Sequence, residues 1–165
     1  MGFNRTLRHL FMTHWQVRRH FPAAVLDEIE NAVREVEARH SGEIRFVVET
    51  ALEGQGLWSG MTPRARAREI FGQLGVWDTA NNNGVLIYVL FADRAVEILA
   101  DRGIASCVPA DEWSQICRDI EAQYRRQLFA QGSVAGVRAI GRLLERHFPG
   151  PRTGANELPN RPVLL

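Results

Sequence analysis

Trp77-Asp78-Thr79-Ala80-Asn81-Asn82-Asn83-Gly84-Val85-Leu86-Ile87-Tyr88-Val89-Leu90-Phe91-Ala92-Asp93-Arg94-Ala95-Val96-Glu97-Ile98-Leu99-Ala100-Asp101-Arg102-Gly103-Ile104 decides the fold. Asn81 to Gly84 are residues that tolerate positive φ, so a turn opens this stretch. Val85 to Phe91 follow without a polar interruption. Such a run has both faces covered, which predicts a central strand rather than an edge. Ala92-Asp93-Arg94 reverses the chain, and Ala95–Ala100 returns as a second strand. Carboxylates therefore stand at the rim of a sheet.

Working upstream, Glu43-Ile44-Arg45-Phe46-Val47-Val48-Glu49-Thr50 predicts another strand, with Ile44, Phe46 and Val48 on one face and Arg45, Val47 and Glu49 on the other. A helix from Pro22 to about Arg39 precedes it, with Val25, Ile29, Ala32, Val33 and Val36 on its apolar face. Gly42 reads as its left-handed C′ residue. Residues 51–61, with Gly54, Gly56 and Gly60, read as a loose connection without a phosphate-binding fingerprint. Thr62 then caps a helix that Pro63 begins and Gly75 ends. Arg64, Arg66 and Arg68 at its start oppose the helix dipole. They read as a solvated face, with contact to an acid or anion as the alternative.

Downstream, Trp113, Ile116, Cys117, Ile120, Tyr124 and Leu128 share a helix face. Gly132 reads as a break, and Val134, Val137, Ile140, Leu144 and Phe148 line the next helix. Beyond Pro149-Gly150-Pro151 no periodicity remains, so residues 150–165 read as an arm or a disordered tail. The order α-α-β-α-β-β-α-α predicts an α/β protein: a three-layer α/β/α sandwich, or a two-layer α+β one, around a small mixed sheet. Its divisions are an N-terminal basic helix (1–21), a domain (22–149) and the C-terminal arm (150–165).

Composition bounds the function. In 165 residues there are 20 basic side chains, all arginine, against 19 acidic ones, for a net charge of +1. That balance argues against nucleic-acid binding. The absence of lysine removes Schiff-base and P-loop chemistry. Two cysteines, Cys107 and Cys117, make no disulfide framework and read as reduced thiols. No run approaches the ~20 apolar residues that span a bilayer. No export signal is evident, so the cytoplasm is the expected location, with peripheral contact at the inner membrane as a variant.

Residues 4–20 contain Arg5, Arg8, Arg18, Arg19 and three histidines but no acid. Leu7, Leu10, Phe11 and Trp15 follow helical spacing, so the segment reads as one short basic amphipathic helix. Two roles are open: docking on the body through its apolar residues, or a surface for an anionic membrane or acidic partner formed by Arg5, Arg8, Trp15, Arg18 and Arg19.

Motifs for catalysis are missing. There is no G-x-S-x-G elbow, no H-E-x-x-H and no closed calcium loop of the D-x-[DN]-x-[DN]-G type. Candidate ligands for a hard cation are Asp78, Asp93, Asp101 and Glu43, with Glu97 as a further carboxylate. Asp93 reads equally as a turn residue bonding its own backbone, and Asp101 with Arg102 as a strand-end ion pair.

Ser41-Gly42-Glu43-Ile44, the helix ending Phe71…Leu74-Gly75-Val76, and Asn82-Asn83-Gly84-Val85-Leu86-Ile87 with Ala92-Asp93-Arg94…Val96-Glu97-Ile98 together resemble the TPM domain family. The likeness covers about residues 22–148. It implies an α/β/α sandwich with acidic residues near a surface cleft that bind divalent cations, Ca²⁺ or Mg²⁺, in some members. Acid phosphatase activity is attributed to plant members. After the hairpin, members commonly read Gly-Tyr-Gly-Leu-Glu, whereas this chain has Asp101-Arg102-Gly103-Ile104-Ala105. The chain looks like a short bacterial branch often encoded beside a membrane-bound relative and a LemA-type protein, which the resemblance offers as partners. Two functions follow as expectations: a non-catalytic interaction module acting with a membrane-associated partner, or a divalent-cation-dependent phosphatase.

Overall fold

The computed structural model describes residues 3–151 and 154–165. The chain begins with α1 (Phe3–Phe11), α2 (His14–His20) and α3 (Ala23–Glu37). The central strands are β1 (Glu43–Glu49) and β2 (Gly84–Leu90), joined through α4 (Gly54–Trp58) and α5 (Pro63–Gln73). A single 3-10 turn, Phe91–Asp93, leads to β3 (Ala95–Ala100). Then come α6 (Arg102–Ala105), α7 (Ala110–Arg125), α8 (Phe129–His147) and β4 (Val163–Leu164).

The sheet order is β3-β2-β1-β4. β1 lies parallel to β2, from Glu43 opposite Gly84 to Glu49 opposite Leu90. β2 pairs antiparallel with β3, from Val85 opposite Ala100 to Leu90 opposite Ala95. Every residue of β1 and β2 is buried, as their covered faces require. On one face Ile44, Phe46, Val48, Ile87, Val89 and Ile98 pack with Val33, Val36, Ile120, Ile140 and Leu144, that is with α3, α7 and α8. On the other, Val47, Leu86, Tyr88 and Leu90 meet Leu57, Ala67, Ile70 and Val76 of the α4–α5 side. Two cores separated by one sheet make the three-layer α/β/α sandwich.

Local signals hold where backbone chemistry is decisive. Thr62 accepts the Ala65 N–H at 3.1 Å, and Pro63 starts α5. Gly75 has φ +63°. Gly84 opens β2 because the chain crosses it: a Cβ there would lie 2.0 Å from the Val76 carbonyl oxygen.

Several expectations are corrected. Residues 4–20 do not form one helix: Thr13 accepts the Gln16 N–H while the Gln16 side chain returns to Thr13, a capping box that starts a second helix. Residues 51–61 contain α4, drawn in by buried Leu57. Gly42 is not left-handed, because α3 ends earlier, with Ala38 still in right-handed helical geometry. Gly132 lies inside α8, and the break comes before it at Gln127, whose φ is +64°. The arm ends as a strand: β4 extends the sheet parallel to β1, Val47 pairing with Val163 and Val48 with Leu164. No helix among the described residues is long and apolar enough to cross a membrane.

Candidate functional site

The residues singled out as cation ligands sit at opposite ends of the sheet. Asp93 follows β2, while Asp101 follows β3, which runs back beside it. The seven residues of β2 at about 3.3 Å each separate these ends by roughly 20 Å. Asp78 is exposed on the connection before β2, at the Asp101 end. Glu43 starts β1 at that same end. Asp93 and Asp101 therefore cannot share one ion.

At the Asp93 end the carboxylate clamps α1. The Arg5 side chain donates to it through Nε at 2.9 Å and Nη2 at 2.8 Å. His9 Nε2 lies 3.1 Å away, and Arg8 reaches it at 3.5 Å. His9 Nδ1 accepts the Leu52 N–H at 2.9 Å, so the ring proton is on Nε2 and points to Asp93. Burial works against the Asp93 charge, but the Arg5 and His9 hydrogen bonds outweigh it and hold the carboxyl below its usual range. Asp93 is thus neither a self-bonded turn residue nor a free rim carboxylate. Arg5 also donates to the Met61 carbonyl at 2.9 Å, which withdraws it from the basic surface expected for a partner.

With α1 fixed this way, its far face turns outward. Leu10 is 58% exposed, Phe11 73% and, across the Thr13 cap, Trp15 68%. Val17 and Phe21 point the other way and are buried in the main core. Arg8, Arg18 and Arg19 are exposed around the elbow, and the Arg19 guanidinium stands 5.8 Å over the Trp15 ring. Of the five residues expected to meet a partner, Arg8, Trp15, Arg18 and Arg19 are exposed, and Arg5 is held by Asp93.

At the other end the Asp101 Oδ1 accepts the Arg102 N–H at 2.7 Å and caps α6. Its Oδ2 is buried without a hydrogen-bond partner among the described residues. Asn83 donates its amide to the Ser41 carbonyl and leaves Oδ1 buried and unpartnered. The Asn81 and Asn82 carbonyl oxygens face the same turn: a Cβ on Gly103 would lie 3.1 and 2.5 Å from them. Glu43 is taken up by the arm, accepting N–H groups from Glu157 at 3.0 Å and Leu158 at 2.7 Å. Glu97 pairs with Arg64 at 3.2 Å. Among the described residues no three His, Cys, Asp or Glu side chains converge as a metal site. A hard cation here would rest on one carboxylate plus amide and carbonyl oxygens, a donor set of the right chemical kind.

The sequence reading missed a third feature. Glu49 is buried at the end of β1 and takes a two-pronged contact from Arg66, at 2.8 and 3.0 Å, together with the Tyr88 O–H. Burial, then the Glu49 carboxylate, pushes the Tyr88 hydroxyl far up. Of the three arginines read as a solvated face, Arg64 and Arg66 meet Glu97 of β3 and Glu49 of β1, while Arg68 is exposed as expected. Their misfit with the helix dipole was the legible signal. The Cys117 thiol, half-buried on α7, is pushed up to about 12 chiefly by burial, and both cysteines are free.

The TPM domain family model matches residues 20–143. Among solved structures, the BA42 protein from the psychrophilic bacterium Bizionia argentinensis shares 32% identity over 94% of this chain and 96% of its own, with a TM-score of 0.76. The N-terminal domain of a protein from P. gingivalis has 22% identity, covers 76% of each chain and has a TM-score of 0.59. An N-terminal domain of the cg2496 protein from Corynebacterium glutamicum has 13% identity, covers 81% of this chain and 80% of its own, and has a TM-score of 0.54. The last two are likenesses of fold. No curated protein matches the chain.

Proposed function

The chain belongs to the TPM domain family, and from that premise we propose that it is a non-catalytic interaction module that docks on an anionic membrane surface through the α1–α2 elbow. One observation carries the reading: Leu10, Phe11 and Trp15 stand exposed together on a segment whose charged residues are all basic. Apolar tips fringed by arginine suit the boundary between headgroups and acyl chains. The Asp93 clamp supports it further by holding α1 with those tips outward.

The test is vesicle co-sedimentation of the full chain. Phosphatidylglycerol vesicles should bind it, phosphatidylcholine vesicles should not, and raising salt from 0.1 M should weaken binding as screening shortens. Leu10→Ser/Phe11→Ser should lose at least tenfold in affinity. Parent-like binding by that variant sinks the reading. No vesicle binding by the parent, with capture of an acidic protein through the same residues, would make the partner a protein such as a membrane-bound relative or a LemA-type protein.

The orphaned Asp101 Oδ2 and Asn83 Oδ1 favour a second element, a divalent cation at that end of the sheet. Ca²⁺ suits carbonyl and amide oxygens better than Mg²⁺, which demands stricter geometry and keeps its water. Asp101 and Asn83 would hold it with the Asn81–Asn82 loop, and the ion would stiffen that turn. A Tm that rises with Ca²⁺ in the parent and not in Asp101→Asn supports this; equal response in both removes it. The phosphatase alternative is not advanced, because Asp78, Asp93 and Asp101 do not converge.

A further inference from the structure

One groove beside the elbow is absorbed by none of these roles. It runs between α2, the Phe91–Arg94 turn and the α7–α8 corner, with a volume of about 320 Å³. Its floor is apolar, formed by Phe91 and Phe129 with their ring centroids 5.3 Å apart, and by Met12. Its walls carry Arg19 and Arg94, and no acid lines it. Asp93, the acid next to Arg94 in sequence, is turned away to Arg5 and His9. No other acid pairs with Arg19 or Arg94 among the described residues, so two positive charges face the groove without a counter-charge. His20 registers this: burial first, then Arg19 and Arg94, lower its pKa.

The backbone adds an independent sign. Among the described residues three non-glycine positions have positive φ, and two of them, Arg94 at 52° and Gln127 at 64°, line this groove. Both close tight turns, where glycine would serve at lower cost. Long polar side chains occupy both positions instead, in a sparsely populated backbone conformation.

We propose that this groove binds the phosphate headgroup of a single anionic phospholipid. Arg19 and Arg94 take the phosphate oxygens as a pair of guanidinium donors. The Phe91–Phe129 floor and Met12 take the glycerol and the first acyl carbons, while Trp15 closes the membrane side. This rests on the membrane-docking reading and deepens it: the elbow inserts, and the groove selects the lipid.

The test uses the ¹⁵N-labelled full chain with soluble short-chain lipids below micelle formation. Dihexanoyl phosphatidylglycerol should shift the amides of Arg94, Gln127 and Phe129 saturably. Arg19→Gln combined with Arg94→Gly, which keeps the left-handed turn, should weaken that binding at least tenfold with the rest of the spectrum retained. Leu10→Ser/Phe11→Ser should bind the soluble lipid like the parent even though it loses vesicles, so failure of the groove and failure of the elbow are distinguishable. Equal affinity for dihexanoyl phosphatidylcholine overturns the charge selection, and equal affinity for inorganic phosphate overturns the lipid. Absence of shifts at these amides overturns the site.

Discussion

Asp93 bears several roles at once because a carboxylate at a hairpin end can accept four or more hydrogen bonds. Here they come from Arg5, Arg8 and His9, and the carboxylate is nearly buried. Asp93→Ala removes the acceptor that Arg5 and His9 share, leaving Arg5 only the Met61 carbonyl. The expected cost is about 3 kcal/mol, the low end for a broken buried pair because Arg5 keeps some water. Chemical denaturation should show that loss, with amide exchange in α1 accelerating first. Since the folded pKa is depressed, this stabilisation is present above the ordinary carboxylate pKa and disappears as pH falls through the folded value. His40 acts in a different window. It is fully buried, and burial, with Arg39 adding and the Gly42 backbone opposing, lowers its pKa to about 4. The unfolded chain then takes up the proton first. Stability is complete above pH ~6.5 and declines by about 3 kcal/mol toward pH ~4. His40→Leu should flatten the denaturation midpoint between those values while leaving the more acidic Asp93 limb in place.

At the level of elements, side-chain periodicity was legible, as were the Thr62–Pro63 start and the Gly75 end of α5, while the breaks at Thr13 and Gln127 were not. The alternation in β1 and the apolar run of β2 appear in the structure as read: apolar residues of both strands face covered layers, and the buried Glu43, Arg45 and Glu49 of β1 are each held by polar partners. Periodicity does not reveal the elbow because helical spacing from Leu7 to Arg18 continues through it, although the Thr13–Gln16 capping box marks the second start. Gly132 misled for the opposite reason. A glycine in a helix reads as a breaker, yet here it serves close packing, since a Cβ would lie 2.8 Å from Gln123 Cβ. Gly141 shows the same logic between α8 and α3, where a Cβ would stand 2.5 Å from Val36 Cβ. Although alanine favours helices by up to ~1 kcal/mol over glycine, Gly141→Ala should destabilise by about 1–3 kcal/mol through overpacking. Val36→Ala in the same chain leaves the Val36 Cβ but removes its Cγ1 and Cγ2, 2.6 and 3.1 Å from the added Cβ, and should recover part of it. A thermal melt of the two variants checks the sign, which propensity alone would reverse.

Across the whole molecule, the separation of Asp93 from Asp101 follows from topology that the hairpin already contained. A six-residue strand lies between them, so rim carboxylates eight positions apart in sequence belong to different rims. What could not be read was the arm, because its partners are distant and its own pattern is polar. Arg45 donates to the Pro159 and Arg161 carbonyls, Glu43 accepts from Glu157 and Leu158, and Asn160 reaches Glu37. Buried charges on β1 and α3 thus acquire a purpose: they hold residues 157–165 so that β4 covers the β1 edge. Without that cover β1 would expose unpaired backbone groups, the condition that invites pairing between chains. Arg45→Met keeps the bulk and removes the donors, so it should loosen the arm without collapsing the core. The Thr50 N–H, which donates to the Leu165 carbonyl, should then exchange at least tenfold faster. β2 amides such as Ile87, inside the sheet, should keep their protection. A concentration-dependent rise in dimer on light scattering should accompany the change, because a released β1 edge pairs with the nearest strand available. Uniform loss of protection across both strands would instead mean that Arg45 supports the core itself, and the arm's role as an edge cover would be abandoned.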